Sequence, residues 1–169
     1  MDRILITHDR IIPNDNIIEM VMQGIGNDVI FIDGNDYTDF ETFSYTVLNN
    51  SVDHPSSYIY MTNVDNIPIS GRLSIIPIIK SKRITNLLQD VPKYIYCAYI
   101  QKNLSNSNTE TQITGGKGLL YMANVIFFIS EDGIIHIMKD RNPSDNRIIK
   151  NGDNINKYYR DSIIDDLLR

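Results

Sequence analysis

Cysteine is nearly absent from this chain, and with it the main sign of a secreted scaffold. The one cysteine, Cys97, stands in the apolar run Tyr94 to Ile100. No intrachain disulfide can form, and a reducing compartment is the simple expectation. Positive charge is also in deficit, since 16 Lys and Arg face 21 Asp and Glu, a net charge of −5. Neutralising a phosphate backbone takes a basic footprint, so the charge balance speaks against a generic polyanion-binding surface and any DNA contact has to be local. Long apolar runs are missing too. The longest, Leu119 to Ile129, is interrupted by Asn124 and is too short to span a bilayer, and the opening MDRILITHDR carries charges where a signal peptide needs an apolar stretch. The expectation is a soluble intracellular protein with no membrane partner, nuclear in a eukaryote and cytoplasmic otherwise.

Several kinds of chemistry are missing as well. His8, His54 and His136 are too scattered for a metal cluster, and a lone cysteine excludes a thiolate zinc site. Gly24-Ile25-Gly26 follows a helical pattern instead of opening one, so it is not a dinucleotide loop. No Ser/His/Asp set has readable spacing. The expectation is no metal and no cofactor.

What is present suits one domain with a proper core: 169 residues, 42% apolar and 22% charged. Arg3 to Thr7 reads as a buried strand. Pro13 to Asp15 then precede a helical spacing over Ile17, Ile18, Met20, Val21 and Ile25, with Asn14 or Asp15 as its cap. Asp28 to Asp33 is a second strand, Phe40 to Leu48 a short helix, Asn49 to Ser57 a polar loop, and Tyr58 to Met61 a third strand. A helix from about Ile78 to Leu88 carries Lys80, Lys82 and Arg83 on its exposed side, and Lys93 to Ile100 is a fourth strand. Lys102 to Thr114 is polar and without apolar period, long enough to be functional or mobile. Leu119 to Met122 makes a helical turn, and Asn124 to Ile129 pairs with Ile134 to Met138 across Glu131-Asp132-Gly133. Tyr158 to Arg169 reads as a terminal amphipathic helix. Strands alternating with helices favour an α/β fold whose mainly parallel sheet is covered on both faces and ends in an antiparallel hairpin.

The second half resembles a known superfamily. Thr109 to Ser130 (TETQITGGKGLLYMANVIFFIS) is similar to the end of the second DNA-binding loop of RecA recombinases, with the helix and strand that follow it. Tyr96 to Gln101 (YCAYIQ) resembles the strand before that loop, whose terminal polar residue senses nucleotide. Ile137 to Arg141 (IMKDR) resembles a strand ending in two basic residues that reach the neighbouring subunit's nucleotide. The resemblance extends in topology over residues 3–142 and is specific over 94–141. It implies a single RecA-like domain over 1–169, without a separate N-terminal domain. A DNA- or partner-binding loop would comprise Gln101, Lys102, Asn103, Thr114, Gly115, Gly116 and Lys117. Lys139 and Arg141 would form a trans-interface, and Lys80, Lys82 and Arg83 a backbone contact.

The catalytic half departs from that pattern. Where the phosphate loop GxxxxGK[ST] belongs, the chain reads His8-Asp9-Arg10-Ile11-Ile12-Pro13-Asn14-Asp15, with neither glycine, no lysine and no hydroxyl. Asn35 stands where a water-activating glutamate is common, and an amide is a poor general base. Thr62 stands where a metal-organising aspartate is expected, although Asp65 lies three residues on. Three parts of an ATPase site are missing together, so the expectation is a non-enzyme.

The resemblance implies a catalytically inactive subunit in homologous recombination or DNA repair. Such a subunit would act as a heteromeric mediator on a recombinase or recombinase paralogue and contact single- or double-stranded DNA. An NTPase subunit with a noncanonical or trans-completed site is the alternative, as is a viral accessory protein regulating a recombinase or helicase. Plainer readings stand beside these. Lys102 and Lys117 are the loop's only cations and the loop has no aromatic for base stacking, while a run such as Lys80 to Arg83 is ordinarily a solvated helix face.

Overall fold

A computed structural model describes residues 3–8, 28–102, 111–113, 116–130, 132–141, 151–155 and 167–168. The expected helix over 13–25 lies outside these residues, as does the terminal helix over 158–169 apart from Leu167 and Leu168.

The apolar runs become strands: β1 (Arg3–His8), β2 (Val29–Asp33), β3 (Tyr58–Thr62), β4 (Tyr94–Lys102), β6 (Val125–Ile129) and β7 (Ile135–Asp140), with a short β5 (Thr111–Ile113). They join one sheet in the order β2-β3-β4-β1-β6-β7, with β5 attached to β4. The pairs β2–β3, β3–β4, β4–β1 and β1–β6 are parallel. The β6–β7 hairpin is antiparallel and carries a bulge at Ile126/Phe127. Continuous apolar sequence marks the central strands, because both their faces are buried. Every residue of β3 is buried, whereas β2, at the edge, leaves Phe31 44% exposed. The result is the α/β layout that the resemblance implies, a mainly parallel sheet flanked by helices with a C-terminal antiparallel hairpin.

Three helices are described: α1 (Phe40–Asp53), α2 (Ile76–Gln89) and α3 (Gly116–Met122). All three pack on one face. Phe43 and Val47 of α1, Ile84 and Leu88 of α2, and Leu119 and Ala123 beside α3 meet Leu5, Ile59, Met61 and Tyr96 of the sheet. Right-handed crossovers explain this arrangement, because the steps from β2 to β3, β3 to β4 and β4 to β6 run in the same direction across the sheet. The opposite face buries Ile4, Ile6, Tyr60, Ile95 and Phe127 with Ile135 and Ile155. Helical cover of both faces is thus seen on one face only among the described residues.

Two expectations need correction. The loop expected over Asn49 to Ser57 is helical as far as Asp53. Its polar residues sit on the solvent side, and Asn50 Nδ2 donates to the Thr46 carbonyl at 2.8 Å, so the polar run continues the helix that Asp39 starts. Asp39 caps that helix by accepting from Thr42 N (2.8 Å) and Thr42 Oγ1 (2.9 Å). The segment over 102–114 is not loop throughout, since Thr111–Ile113 pairs with β4 through Ile100↔Ile113, Gln101↔Gln112 and Lys102↔Thr111. Three residues are too few to show a period, so the pairing comes from the neighbouring strand.

The outer edge of β7 is also occupied. Ile135 N donates to the Asp153 carbonyl (2.7 Å), Gly152 N to the Ile135 carbonyl (2.8 Å), and Ile137 N to Asn151 Oδ1 (3.0 Å).

Candidate functional site

Open parallel sheets bind ligands beyond the carboxyl ends of their strands, where neighbouring strands send their connections in opposite directions. Here β1 and β4 are such neighbours: the chain leaves β1 toward β2 at one edge and leaves β4 toward β6 on the other side. His8 ends β1 beside Tyr99 and Ile129. Beyond that level β4 continues through Gln101 and Lys102, which pair with β5 and place both backbones past the end of β1. Gly116 and Lys117 open α3. Asn103, Thr114, Gly115 and the phosphate-loop positions Asp9 to Asp15 lie outside the described residues.

The carboxyl ends of β2 and β3 are knitted together. Asp33 Oδ1 accepts from Asn35 N at 2.9 Å and from Asn63 Nδ2 at 3.0 Å, and Asn66 Nδ2 donates to Asn35 Oδ1 at 2.8 Å. Asn63 adopts φ 54°, ψ 27°, a left-handed conformation that an asparagine tolerates better than most residues. Gly34 is required by a close approach, since a Cβ there would lie 2.3 Å from the Asn63 carbonyl oxygen. Lys80 Nζ donates to the Asp65 carbonyl, tying α2 to the same turn. This corrects the expectation that Lys80 is part of an exposed basic face; Lys82 and Arg83 are exposed. Thr62 is buried at the end of β3 and accepts from Asn63 Nδ2 at 3.4 Å.

On the hairpin side the two basic residues of β7 meet a helix end. Lys139 Nζ donates to the carbonyls of Leu120 (2.8 Å) and Tyr121 (3.2 Å), and Arg141 Nη2 donates to Tyr121 O at 3.0 Å. These are last-turn carbonyls of α3, which carry no intrahelical partner and the negative end of the dipole, so two cations satisfy them. Partial desolvation, and then the neighbouring Arg141 charge, pull the Lys139 pKa below its ordinary value. The resemblance suggested a trans role for this pair; sequence spacing had no means of showing the α3 terminus as a partner.

Buried titratable groups sit inside the sheet. Burial raises the Cys97 thiol to about 12, against a smaller lowering by the Tyr60 hydroxyl, and burial likewise raises Tyr94 to about 12. Tyr96 is pushed well up by burial and then by the Asp65 charge. None of these is poised near neutrality for proton transfer. Among the described residues no three His, Cys, Asp or Glu side chains gather as a metal set, and no helix is long and apolar enough to cross a membrane. The described site offers amides, a bonded carboxylate and backbone; Asn35 supplies no base.

No protein-family model matches the chain, and no curated protein sequence matches it. Among solved structures it is similar to a KaiC-like protein, PH0186, from the hyperthermophilic archaeon Pyrococcus horikoshii OT3. The identity is 14%, with 88% of this chain and 82% of that one covered, at a TM-score of 0.39. A likeness at that level carries no argument about activity.

Proposed function

We propose that this chain is a non-catalytic RecA-like subunit that acts in homologous recombination or DNA repair by binding a recombinase-type partner. It biases assembly or stability of the partner's active filament and hydrolyses nothing itself. The observation that supports this reading is the latch at the ends of β2 and β3. Asn35, in the place of a general base, has its Oδ1 engaged by Asn66, and Asp33 Oδ1 receives two donors. Groups committed to one another in the folded state are poor candidates for activating water.

In this reading the loop residues Gln101, Lys102, Asn103, Thr114, Gly115, Gly116 and Lys117 contact the partner or DNA. Lys139 and Arg141 hold α3 in place and lend their remaining N–H groups to the heteromer. An arginine has five N–H donors, and the α3 carbonyl engages Nη2 alone.

Thermal melting of the isolated chain with ATP, ADP and Mg²⁺ is the first test, since a ligand that binds only the folded state raises the melting temperature. No shift at millimolar nucleotide is expected. A Mg²⁺-dependent rise would instead put the NTPase reading first. A recombinase pull-down with a filament assay tests the other half, and absence of both binding and effect overturns it.

A further inference from the structure

α1 and α2 lie side by side on the sheet, because the crossovers from β2 to β3 and from β3 to β4 step the same way across it. Thr85 of α2 meets Gly118 of α3, so the side of α2 turned toward α1 is the opposite one, which carries Ile76, Ile79 and Arg83. In α2 the residue that faces the next helix directly follows the buried Ile84. The same step from the buried Val47 of α1 gives Leu48, and helical spacing sets Glu41, Tyr45 and Val52 around it. These two sides border a groove open to solvent. Leu48, Ile76 and Ile79 are half-buried along its floor, and Gly71 closes one end, where a Cβ would lie 3.4 Å from Ile79 Cδ1. Tyr45 and Val52 stand 71% and 77% exposed on the α1 wall.

The two walls differ in sign. Residues 28–53, which form β2, the turn after it and α1, contain six acids and not one Lys or Arg. Residues 66–89, the turn before α2 and α2 itself, contain Arg72, Lys80, Lys82 and Arg83 and not one Asp or Glu. Asp36 and Glu41 are exposed on the first, and Lys82 and Arg83 on the second. One face of the molecule therefore carries an apolar groove with an acidic bank and a basic bank.

We propose that this groove receives an amphipathic helix of a partner protein, its apolar seam on Tyr45, Leu48 and Val52, a Lys/Arg edge toward α1 and an Asp/Glu edge toward α2. Two neighbouring helices leave a groove that the ridges of a third can fill. Tyr45 to Val52 spans about 10 Å at 1.5 Å per residue, room for two turns of such a helix. DNA or an anionic bilayer carries one sign and would be repelled by the α1 bank wherever the α2 bank attracted it. A polypeptide helix carries both signs on one rigid body, so it can match both banks at once. This partner surface does not depend on any role in recombination and is read out without a recombinase.

Fluorescence anisotropy of labelled synthetic helices of about 14 residues, titrated with the full chain, tests it. The probes share a leucine seam and differ at their edges: Lys on one and Glu on the other, Lys on both, or Glu on both. The mixed probe is expected to bind with a Kd of about 100 µM or tighter, and each single-sign probe about tenfold more weakly. K82E/R83E is expected to move the preference to the Lys-edged probe, and D36K/E41K to the Glu-edged one. Y45S/V52S, which leaves the charge unchanged, is expected to weaken all the probes about tenfold. Amide shift changes on binding are expected within residues 41–52 and 76–86, and circular dichroism checks that each variant is folded. No binding of the mixed probe at about 1 mM protein overturns the proposal. So does equal affinity for all the probes, a preference that neither charge reversal moves, or shift changes confined to residues outside α1 and α2. Single-stranded DNA or phosphatidylserine vesicles that shift the same amides and bind more tightly than the mixed probe overturn it in favour of those surfaces.

Discussion

The two flanks of β1 solve one problem in different ways. On the β2–β3 side, polar side chains meet one another and close the ends of two strands: Asp33 with Asn63, and Asn35 with Asn66. On the hairpin side, Lys139 and Arg141 meet the open carbonyls of α3. The first flank is held by close backbone approach, since Gly34 lies against the Asn63 carbonyl. On the second the close contact is with a side chain, since a Cβ on Gly118 would meet Thr85 at 2.9 Å from Cγ2 and 3.0 Å from Oγ1. Residues that look chemically conspicuous in the sequence serve the fold on both sides, through rigid local geometry on one and electrostatics on the other.

The sharpest way to break this comparison is to add one methyl group to each flank. Gly34→Ala is expected to cost about 3 kcal/mol, at the upper end for overpacking, because the obstructing atom is backbone. Gly118→Ala is expected to cost about 1 to 2 kcal/mol, because Thr85 carries γ atoms on both positions that face the new methyl, while alanine favours the helix by about 1 kcal/mol over glycine. Urea unfolding of the two variants measures the contrast; equal costs would show that the flanks do not differ in rigidity.

Asn63→Ala comes next, expected to cost about 2 kcal/mol by combining a positive-φ penalty with loss of the bond to Asp33. Asn63→Gly keeps the backbone freedom and is expected to recover about half of that. The same unfolding measurement separates strain from hydrogen bonding. Smaller still, Lys139→Ala with Arg141→Ala is expected to cost about 1 kcal/mol in total through the α3 terminus. Hydrogen exchange is expected to quicken in α3 and to stay unchanged in α1.

The smallest effect concerns Asp39. Its hydrogen bonds to Thr42 hold its pKa below 3.8 in the folded protein. A lowered folded pKa means that its charged cap contributes fully above the unfolded value and is lost as pH falls through the folded one. Asp39→Asn keeps a capping oxygen and does not titrate. The stability difference between wild type and this variant is therefore expected to be flat above about pH 5 and to shrink below 3.8.

Much of the fold was legible because buried strands announce themselves as apolar runs. Ile4 to Ile6, Ile59 to Met61 and Val125 to Phe127 are such runs, and the alternation with helices pointed to a parallel sheet. Asn49 to Asp53 was misread because Asn and Ser favour turns, while on a helix's solvent side a side-chain bond to the preceding turn keeps them helical. Thr111–Ile113 became a strand only through its neighbour. At the site, Asn35, Lys139 and Arg141 stood out by residue type, but their partners lie 31 and 18 to 20 residues away across separate elements. Adjacency of strand ends is a product of topology, and a one-dimensional reading has no access to it. Gly34 carried no readable signal, because its requirement is a carbonyl in the turn that follows the neighbouring strand β3.

The edge of β7 has one more consequence, for how this protein ages. Asn151-Gly152 is a sequence prone to deamidation, in which the glycine amide nitrogen attacks the asparagine side-chain carbonyl carbon. In the fold that nitrogen's hydrogen is held by the Ile135 carbonyl, and the asparagine oxygen is held by Ile137 N. Ring closure to the succinimide requires the bond between Gly152 N and the Ile135 carbonyl to break, so the native edge slows its own chemical decay, and isoaspartate at position 151 would record how long that edge had been open.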